Sequence, residues 1–242
     1  MSATALCLSL AQQISTHDWS ALEQNLDQDG SAIIRNLVTA RQCKMLSGRY
    51  AEGDLFRSKV IMARHGFGRG EYQYFRYPLP DVVQQLRQSL YSRLVPLANR
   101  WNECMGLEVR YPDQHADFIQ RCHAAGQRRP TPLLLQYGPL DYNCLHQDLY
   151  GEQVFPLQVA ILLSEPGRDF SGGEFVLTEQ RPRMQSRPQV IDLKQGDALV
   201  FAVHQRPVKG VRGYYRVNMR HGVSRVHSGS RHTLGIIFHD AQ

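Results

Sequence analysis

Two histidines and one aspartate in the second half of the chain have the types and spacing of metal ligands. His146 and Asp148 are separated by a single residue, within a segment that we predict to be a β-strand. Because side chains alternate between the two faces of a strand, both would point to the same side and could chelate one cation. His221 is the candidate for a third ligand. Two imidazoles and one carboxylate leave half of an octahedral coordination sphere open, as non-haem Fe(II) oxygenases require.

Arg231 is the candidate for binding an acidic co-substrate beside this metal. It follows His221 in sequence, across a predicted turn over residues 226–230. A guanidinium binds a carboxylate through two parallel hydrogen bonds, and a strand rise of ~3.3 Å per residue would place it several ångströms from the metal. In a regular even-numbered hairpin His221 and Arg231 would face opposite sides. We therefore predict an odd loop or a bulge, for which Gly229 is well suited.

The hydrophobic pattern predicts a helix-rich first half and a strand-rich second half. Thr39 and Asp81 are the predicted N-caps of two of the helices. The predicted helices cover residues 19–26, 40–50, 81–101 and 113–123. The predicted strands cover residues 31–37, 72–77, 132–137, 143–148, 155–163, 173–177, 198–203, 214–226 and 231–239. Many short strands at this spacing indicate a sandwich or barrel of the jelly-roll kind. We expect one integrated α+β domain, with a helix-rich support region over 1–130 and a jelly-roll core over 131–242.

The composition is that of an ordinary globular protein. Of the 242 residues, 42% are hydrophobic and 21% are charged. No run approaches the ~18 apolar residues of a membrane span, so we expect no membrane association. The mildly apolar segment 3–11 is interpreted as the start of a helix, with a secretory signal as the alternative. The net charge of +6 permits an acidic partner without requiring one.

Cysteine usage favours a reducing compartment, and we expect a cytoplasmic protein. There are five cysteines, and no two of them have C-x-x-C spacing. An odd number without that spacing argues against a disulfide framework or a zinc knuckle. Nothing in the composition predicts the oligomeric state.

An ordered series of short motifs runs through the second half of the chain. It consists of Tyr137-Gly138, His146-Gln147-Asp148, Gly172-Gly173-Glu174-Phe175, Gly196-Asp197-Ala198-Leu199-Val200-Phe201, His221-Gly222-Val223 and Arg231. The series resembles the catalytic domain of prolyl 4-hydroxylase-like 2-oxoglutarate/Fe(II) dioxygenases, and it covers nearly half of the chain. The whole chain resembles a poorly characterised bacterial group within that family, so this kinship supplies no substrate.

The resemblance implies a fold, a reaction and a set of site residues. The fold would be a double-stranded β-helix, and the reaction would hydroxylate a C–H bond with 2-oxoglutarate and O₂ as co-substrates. His146, Asp148 and His221 match the iron ligands of the family. Arg231 matches the basic residue that binds the distal carboxylate of 2-oxoglutarate, where prolyl hydroxylases commonly have lysine. Tyr137 matches a tyrosine that often lines the co-substrate pocket, with a core aromatic as the alternative. Ascorbate is a further candidate cofactor.

The substrate is open at the level of sequence. A peptidyl residue such as proline is favoured, and a free small molecule is the alternative. Nucleic acid is least favoured, because AlkB-type enzymes carry a second arginine six residues after the first and Ile237 stands there. Residues 64–77 and 181–188 are candidate substrate-facing segments, with ordinary solvated loops as the alternative. A hypothesis of another class is a metal-binding module without oxygenase activity.

Overall fold

Residues 10–242, which this computed structural model describes, form five α-helices and fifteen β-strands. The helices are α1 (Leu10–Ser15), α2 (Trp19–Asp29), α3 (Ala40–Gly48), α4 (Asp81–Cys104) and α5 (His115–Ala124). The strands are β1 (Ser31–Ile34), β2 (Phe56–Ile61), β3 (Gly68–Arg69), β4 (Glu71–Phe75), β5 (Leu133–Tyr137), β6 (Tyr142–His146), β7 (Leu157–Leu162), β8 (Phe170–Gly172), β9 (Phe175–Gln180), β10 (Arg187–Ile191), β11 (Ala198–Ala202), β12 (Gln205–Gly210), β13 (Gly213–Val223), β14 (Val226–Gly229) and β15 (Arg231–Ile236).

Two antiparallel sheets enclose the interior of the molecule. The major sheet has the strand order β1-β11-β7-β15-β5-β4-β2, and the minor sheet has the order β10-β9-β13-β6-β3, with β12 paired to β13. Strands β1, β2 and β4 belong to segment 1–130 and extend the major sheet at both edges. The architecture confirms the predicted α+β class with a jelly-roll core. The division into segments at residue 130 stays a prediction.

The central strand β7 shows how the major sheet is buried on both faces. Val159 and Ile161 pack into the core formed with the helices, whereas Ala160 and Leu162 pack between the two sheets. A strand covered on both sides is apolar at nearly every position instead of alternating. Helix α4 supplies much of the opposing surface, since Leu90 and other residues of its apolar face are fully buried. The sheet that carries part of the site is thus rigidly supported from behind.

Helix starts agree with the sequence in one case and differ in another. Thr39 caps α3, and it forms a reciprocal capping box with Gln42, in which each side chain accepts a backbone N–H. The prediction that Asp81 is the N-cap of α4 is wrong. Pro80 takes the cap position, and Asp81 is the first helical residue. A carboxylate in the first turn is still favoured there by the helix dipole.

The chain between His221 and Arg231 takes a different route from the predicted hairpin. Within residues 10–242, β15 pairs with β5 and β7, and not with β13. Strand β14 pairs with β8, with an irregular register, and carries the chain from the minor sheet to the major sheet. Gly229 has φ +78°, and a side chain there would collide with the carbonyl of Asp169. The predicted irregularity is present, but it serves a crossing between sheets, because His221 and Arg231 lie on different sheets.

The N-terminal segment, the cysteines and segment 181–188 differ in how far the structure describes them. Most of the segment 3–11 lies outside the described residues, within which α1 covers Leu10–Ser15. Cys7 lies outside them too, and the other four cysteines are free. Arg187 and Pro188 belong to strand β10, so only the first part of the predicted 181–188 loop is a loop. Within residues 10–242, every helix is too short or too polar to span a lipid bilayer.

A buried arginine on α4 fastens the C-terminal segment to the helical layer. The side chain of Arg87 is 1% exposed, and it forms a salt bridge of 2.8 Å with Asp240. Its guanidinium also donates to the carbonyl oxygens of Ile237 and His239 and to the hydroxyl of Tyr77. These bonds fix the chain immediately after β15, the strand that begins with Arg231.

We expect the substitution Arg87→Leu to lower the free energy of unfolding by about 3–5 kcal/mol, because it removes the buried guanidinium that pairs with the buried Asp240. Urea denaturation followed by circular dichroism measures this. Arg100→Gln is the matched control on the same helix, because the Arg100 side chain is 45% exposed in its ion pairs with Asp27 and Glu23. It should cost at most about 1 kcal/mol. Equal losses for the two variants would contradict the assignment.

Candidate active site

The three predicted ligands converge at the open end of the minor sheet. Their ligand atoms all lie within 4.8 Å of one another. His221 Nε2 lies 3.3 Å from Asp148 Oδ2, and His146 Nε2 lies 3.5 Å from Asp148 Oδ1. His146 and His221 are directly paired across β6 and β13. Strand β6 ends at His146, so Asp148 lies in the following loop and not in the predicted strand.

Each imidazole is oriented by its surroundings. The Nδ1 of His146 is 2.8 Å from the carbonyl oxygen of Cys144, to which it donates, so Nε2 is left to face the other ligands. His221 is 6% exposed, and its ring stacks on Phe175 at 5.9 Å between centroids. The ring of Phe201 packs against it at 4.7 Å. Tight packing fixes the ring of His221 in the plane that aims Nε2 at the centre of the site.

The electrostatics of the three groups suit a bound divalent cation. Burial opposes ionisation of Asp148, but hydrogen bonds and charge from His146 and His221 outweigh it and hold its pKa well below the ordinary value. Burial, together with the charge of His146, lowers the pKa of His221. The pKa of His146 is raised overall. Burial favours its neutral form, but the hydrogen bond and the negative charge of Asp148 outweigh the effect of burial. An ionised carboxylate and imidazoles with free Nε2 atoms are the donor forms that metals bind.

A pair of tyrosines supports Asp148 from behind. The hydroxyl of Tyr150 donates to Asp148 Oδ1 over 2.7 Å, and the hydroxyl of Tyr74 lies 3.2 Å from that of Tyr150, to which it donates. Hydrogen bonds to the remaining lone pairs of a ligating carboxylate fix its orientation. The sequence did not single out Tyr150, because a tyrosine in a loop after a strand has no distinctive pattern.

The triad opens into a cavity of about 360 Å³ between the two sheets. Four polar atoms on its wall are buried and have no hydrogen-bond partner within residues 10–242: Tyr137 Oη, Gln158 Nε2, His221 Nδ1 and Arg231 Nε. Leaving a buried polar group unpaired costs about 1–3 kcal/mol, so native proteins rarely do so without a ligand or water. The residues present therefore fit a metal with an oxygen-rich organic ligand beside it.

Arg231 projects into this cavity from the major sheet, opposite the sheet that carries His221. It is 2% exposed and is directly paired with Tyr137 across β15 and β5, which places both side chains on the inner face. Its NH1 donates to Thr233 Oγ1 over 2.7 Å. In the described part of the chain no carboxylate forms a salt bridge with it, and burial lowers its pKa. An unpaired buried cation is costly, so the geometry fits an anionic ligand.

Tyr137 is fully buried with its ring 5.5 Å from the Arg231 guanidinium. Its hydroxyl has no partner in residues 10–242 and lines the cavity, as a ligand contact would. Sequence reasoning missed Gln158, which faces the same cavity. A signal was available, because Gln158 is the one polar residue in the otherwise apolar strand β7. Elsewhere in residues 10–242 no other His, Cys, Asp or Glu cluster has metal-ligand geometry.

Comparisons with solved structures define the fold. A prolyl-4-hydroxylase of Pseudomonas putida has a TM-score of 0.52 and 14% identity, over 93% of this chain and 99% of that one. A prolyl hydroxylase of Trichoplax adhaerens, solved with a hypoxia inducible factor peptide, has a TM-score of 0.56 and 16% identity, over 96% and 92%. A 2OG-Fe(II) oxygenase of Burkholderia pseudomallei has a TM-score of 0.54 and 16% identity, over 93% of each chain. The chain therefore has the fold of the 2-oxoglutarate/Fe(II) dioxygenases, as the motifs predicted.

The family is defined by a sequence model. The model named Oxygenase-NA, described as an oxygenase catalysing oxidative methylation of damaged DNA, matches residues 70–241. The chain belongs to this family. The uncharacterised proteins MT2286 and Rv2227, each from a strain of Mycobacterium tuberculosis, are both 52% identical over 204 residues, which cover 84% of this chain and 82% of theirs. Membership makes the chain an oxygenase of this family.

We expect Tyr150→Phe to weaken Fe(II) binding about 10- to 100-fold, because Asp148 loses the hydrogen bond that orients it. Anaerobic titration with Fe(II), or with Mn(II) as a stable substitute, measures the dissociation constant. Tyr74→Phe removes the next hydroxyl of the same chain of bonds and should have a smaller effect. Unchanged metal affinity in Tyr150→Phe would show that Asp148 is positioned without it.

Proposed function

We propose that the protein hydroxylates a C–H bond of its substrate, with the iron held by His146, Asp148 and His221. The observation that carries this proposal is the convergence of these three side chains on one point at the wall of a largely apolar cavity. When bound, Fe(II) with 2-oxoglutarate supplies the activation of O₂. The three residues would hold the metal through two imidazoles and one carboxylate, a donor set that would leave coordination positions for other ligands.

Arg231 and Tyr137 are proposed to hold the distal carboxylate of 2-oxoglutarate. The guanidinium lies inside the barrel, its Nε has no hydrogen-bond partner within residues 10–242, and the Tyr137 hydroxyl is a second donor beside it. A fixed planar donor gives a carboxylate one orientation, which turns the keto-acid end towards the metal. The apolar walls limit the water that reaches this end. Ascorbate is an accessory reductant under this proposal, and the free cysteines support a reducing, cytoplasmic environment.

We expect His146→Ala to abolish metal binding, because it removes a ligand. Arg231→Met should keep the metal but weaken 2-oxoglutarate by about 100-fold, since a charge-assisted contact is lost. Titration with Mn(II), followed by calorimetry with 2-oxoglutarate, separates the two steps. Arg220→Met, an exposed arginine beside His221, is the matched control and should change neither. Equal loss of both ligands in Arg231→Met would refute its assigned role.

The wild-type protein and the His146→Ala variant also distinguish an enzyme from a metal-binding module. Wild-type protein with Fe(II), ascorbate and 2-oxoglutarate should release succinate slowly even without substrate, and a chelator should stop the release. The Ala variant of His146 should release none. A wild-type protein that binds the metal but no 2-oxoglutarate would favour the module.

For the substrate, we favour an alkylated base in single-stranded nucleic acid. This differs from the sequence-based preference for a peptidyl residue such as proline. Family membership over residues 70–241 carries a description that names damaged DNA. The prolyl hydroxylases share only 14% and 16% identity with this chain, which supports the fold alone. A peptidyl substrate is the second candidate, because one of those relatives was solved with a peptide. A free small molecule has no specific observation in its favour.

The rim of the cavity also supports a nucleic-acid substrate. Phe67 is 48% exposed at the mouth, and its ring stacks on that of His65 at 5.3 Å between centroids. Arg64 and Arg69 are exposed on either side of this pair. Exposed aromatic rings between cations are the features that bind single strands, through base stacking and phosphate contacts. Ile237, which stands where AlkB-type enzymes carry a second arginine, is 2% exposed and is not part of this exposed surface.

We expect Phe67→Ala to raise the KM for a methylated single-stranded oligonucleotide about 5- to 100-fold, because a stacking contact with one base is lost. Formaldehyde release reports the reaction, and 2-oxoglutarate affinity should be unchanged. Tyr214→Ala, an exposed aromatic away from the cavity lining, is the control and should have no effect. Turnover of a proline-containing peptide but of no oligonucleotide would favour the second candidate.

A further inference from the structure

Gln158 is a buried donor that the contacts described so far do not use. Its side chain is on the inner face of β7, and the residue is 3% exposed. Nε2 has no hydrogen-bond partner among residues 10–242, although Gln158 lines the cavity. An amide in this position costs stability that leucine would not, unless a ligand satisfies it. A glutamine at this position is therefore better explained by binding of a ligand than by packing of the core.

Strand register places Gln158 at the metal side of the cavity. It is directly paired with Phe201, whose ring packs 4.7 Å from the ring of His221. On its other flank, β7 pairs with β15 so that Val159 is opposite Ile236. The neighbouring inward position on that side is Ile237, which also lines the cavity. Arg231 stands at the far end of β15.

The cavity therefore has a donor at each end, which matches a ligand with an acceptor at each end. 2-Oxoglutarate has one carboxylate for Arg231 and a second next to the keto group at the metal. The charge of Fe(II) is balanced by Asp148 and this second carboxylate, and that of Arg231 by the distal carboxylate. A further cation would be uncompensated in a buried site, whereas a neutral amide donates without adding charge. Ile237 supplies no donor, so the amide of Gln158 is the available group.

We propose that Gln158 is a second anchor for 2-oxoglutarate, with its side-chain amide donating to the carboxylate next to the keto group. This inference rests on the proposed function. Gln158 holds the keto-acid end from the major sheet while the metal ligands face it from the minor sheet. It is a positioning residue, because it would fix how the keto acid meets the metal.

The test compares two ligands on Mn(II)-loaded protein by calorimetry. 2-Oxoglutarate has both carboxylates, whereas 4-oxopentanoate keeps the keto group and the distal carboxylate but has a methyl group at the metal end. Gln158→Leu should weaken 2-oxoglutarate about 10- to 100-fold, the value of a hydrogen bond to a charged group. Its affinity for 4-oxopentanoate should be unchanged. Gln158→Asn keeps the amide donor on a side chain that is one methylene shorter. Its affinity for 2-oxoglutarate should lie between those of the wild type and Gln158→Leu.

Thermal unfolding without ligand separates this role from a structural one. Gln158→Leu should melt at the wild-type temperature or higher, because an unpaired amide is replaced by an apolar group. Gln73→Leu is the matched control, since Gln73 is a buried glutamine that donates to the carbonyl of Tyr50 over 2.7 Å. It should show the opposite pattern, with a lower melting temperature and unchanged 2-oxoglutarate affinity.

Two results would overturn the inference. One is an equal loss of both ligands in Gln158→Leu, which would mean that Gln158 only shapes the cavity. The other is an unchanged affinity of Gln158→Leu for both ligands. A wild-type protein that holds Mn(II) but binds no 2-oxoglutarate would instead refute the proposed function itself, so the two failures can be distinguished.

Discussion

The carboxylate of Asp148 is the group on which the site depends. It is ionised although it is only 8% exposed, and a buried charge of this kind persists only with close partners. His146 and His221 provide them on one side, and Tyr150 donates to it on another. These contacts come from three parts of the chain: the end of β6, the loop after it, and β13. Pairing of β6 with β13 is therefore what makes the centre possible.

The second constraint is the balance of charge inside the barrel. Arg231 is a buried cation without a carboxylate partner among the described residues, and the triad places an anion on the opposite sheet. The protein keeps these charges apart instead of letting them neutralise each other. Such an arrangement lowers the stability of the fold by itself, and binding of a metal and an anionic ligand would offset this loss. Under the proposed function, the same event would satisfy the donors on the cavity wall, which include Tyr137 and Gln158 and have no partner within residues 10–242.

The surrounding fold supplies the rigidity that this balance needs. The major sheet is packed on its outer face by the helices, and the Arg87 network fixes the segment that follows β15. The minor sheet carries the two histidines proposed as metal ligands, and its residue Phe175 stacks on His221. The cavity rim, in contrast, exposes the aromatic ring of Phe67. A fixed centre beneath an exposed rim is suited to binding the co-substrate deeply and the substrate at the surface.

Within residues 10–242, the sequence by itself determined nine of the fifteen strands and the identity of the residues that converge in the site. Residue types, their order and local signals such as the Thr39 capping box are properties of neighbouring residues, so a single chain reveals them. Local patterns failed where the outcome depends on distant contacts. Strand β6 ends at His146 instead of continuing to Asp148, and the predicted hairpin to Arg231 is a crossing between two sheets. Both follow from pairings that no local periodicity encodes.

Only the tertiary structure decided which side chains share the cavity. His221 and Arg231 face each other from opposite sheets, and Tyr150 reaches Asp148 from the loop beyond it. Gln158 was visible in the sequence as a polar residue in an apolar strand, but its orientation and its lack of a partner were not. The physical reason is that hydrogen bonding and burial in a β-barrel are set by strands far apart in sequence. The sequence thus determined which groups are available for the chemistry, and the fold determined where their unpaired atoms point.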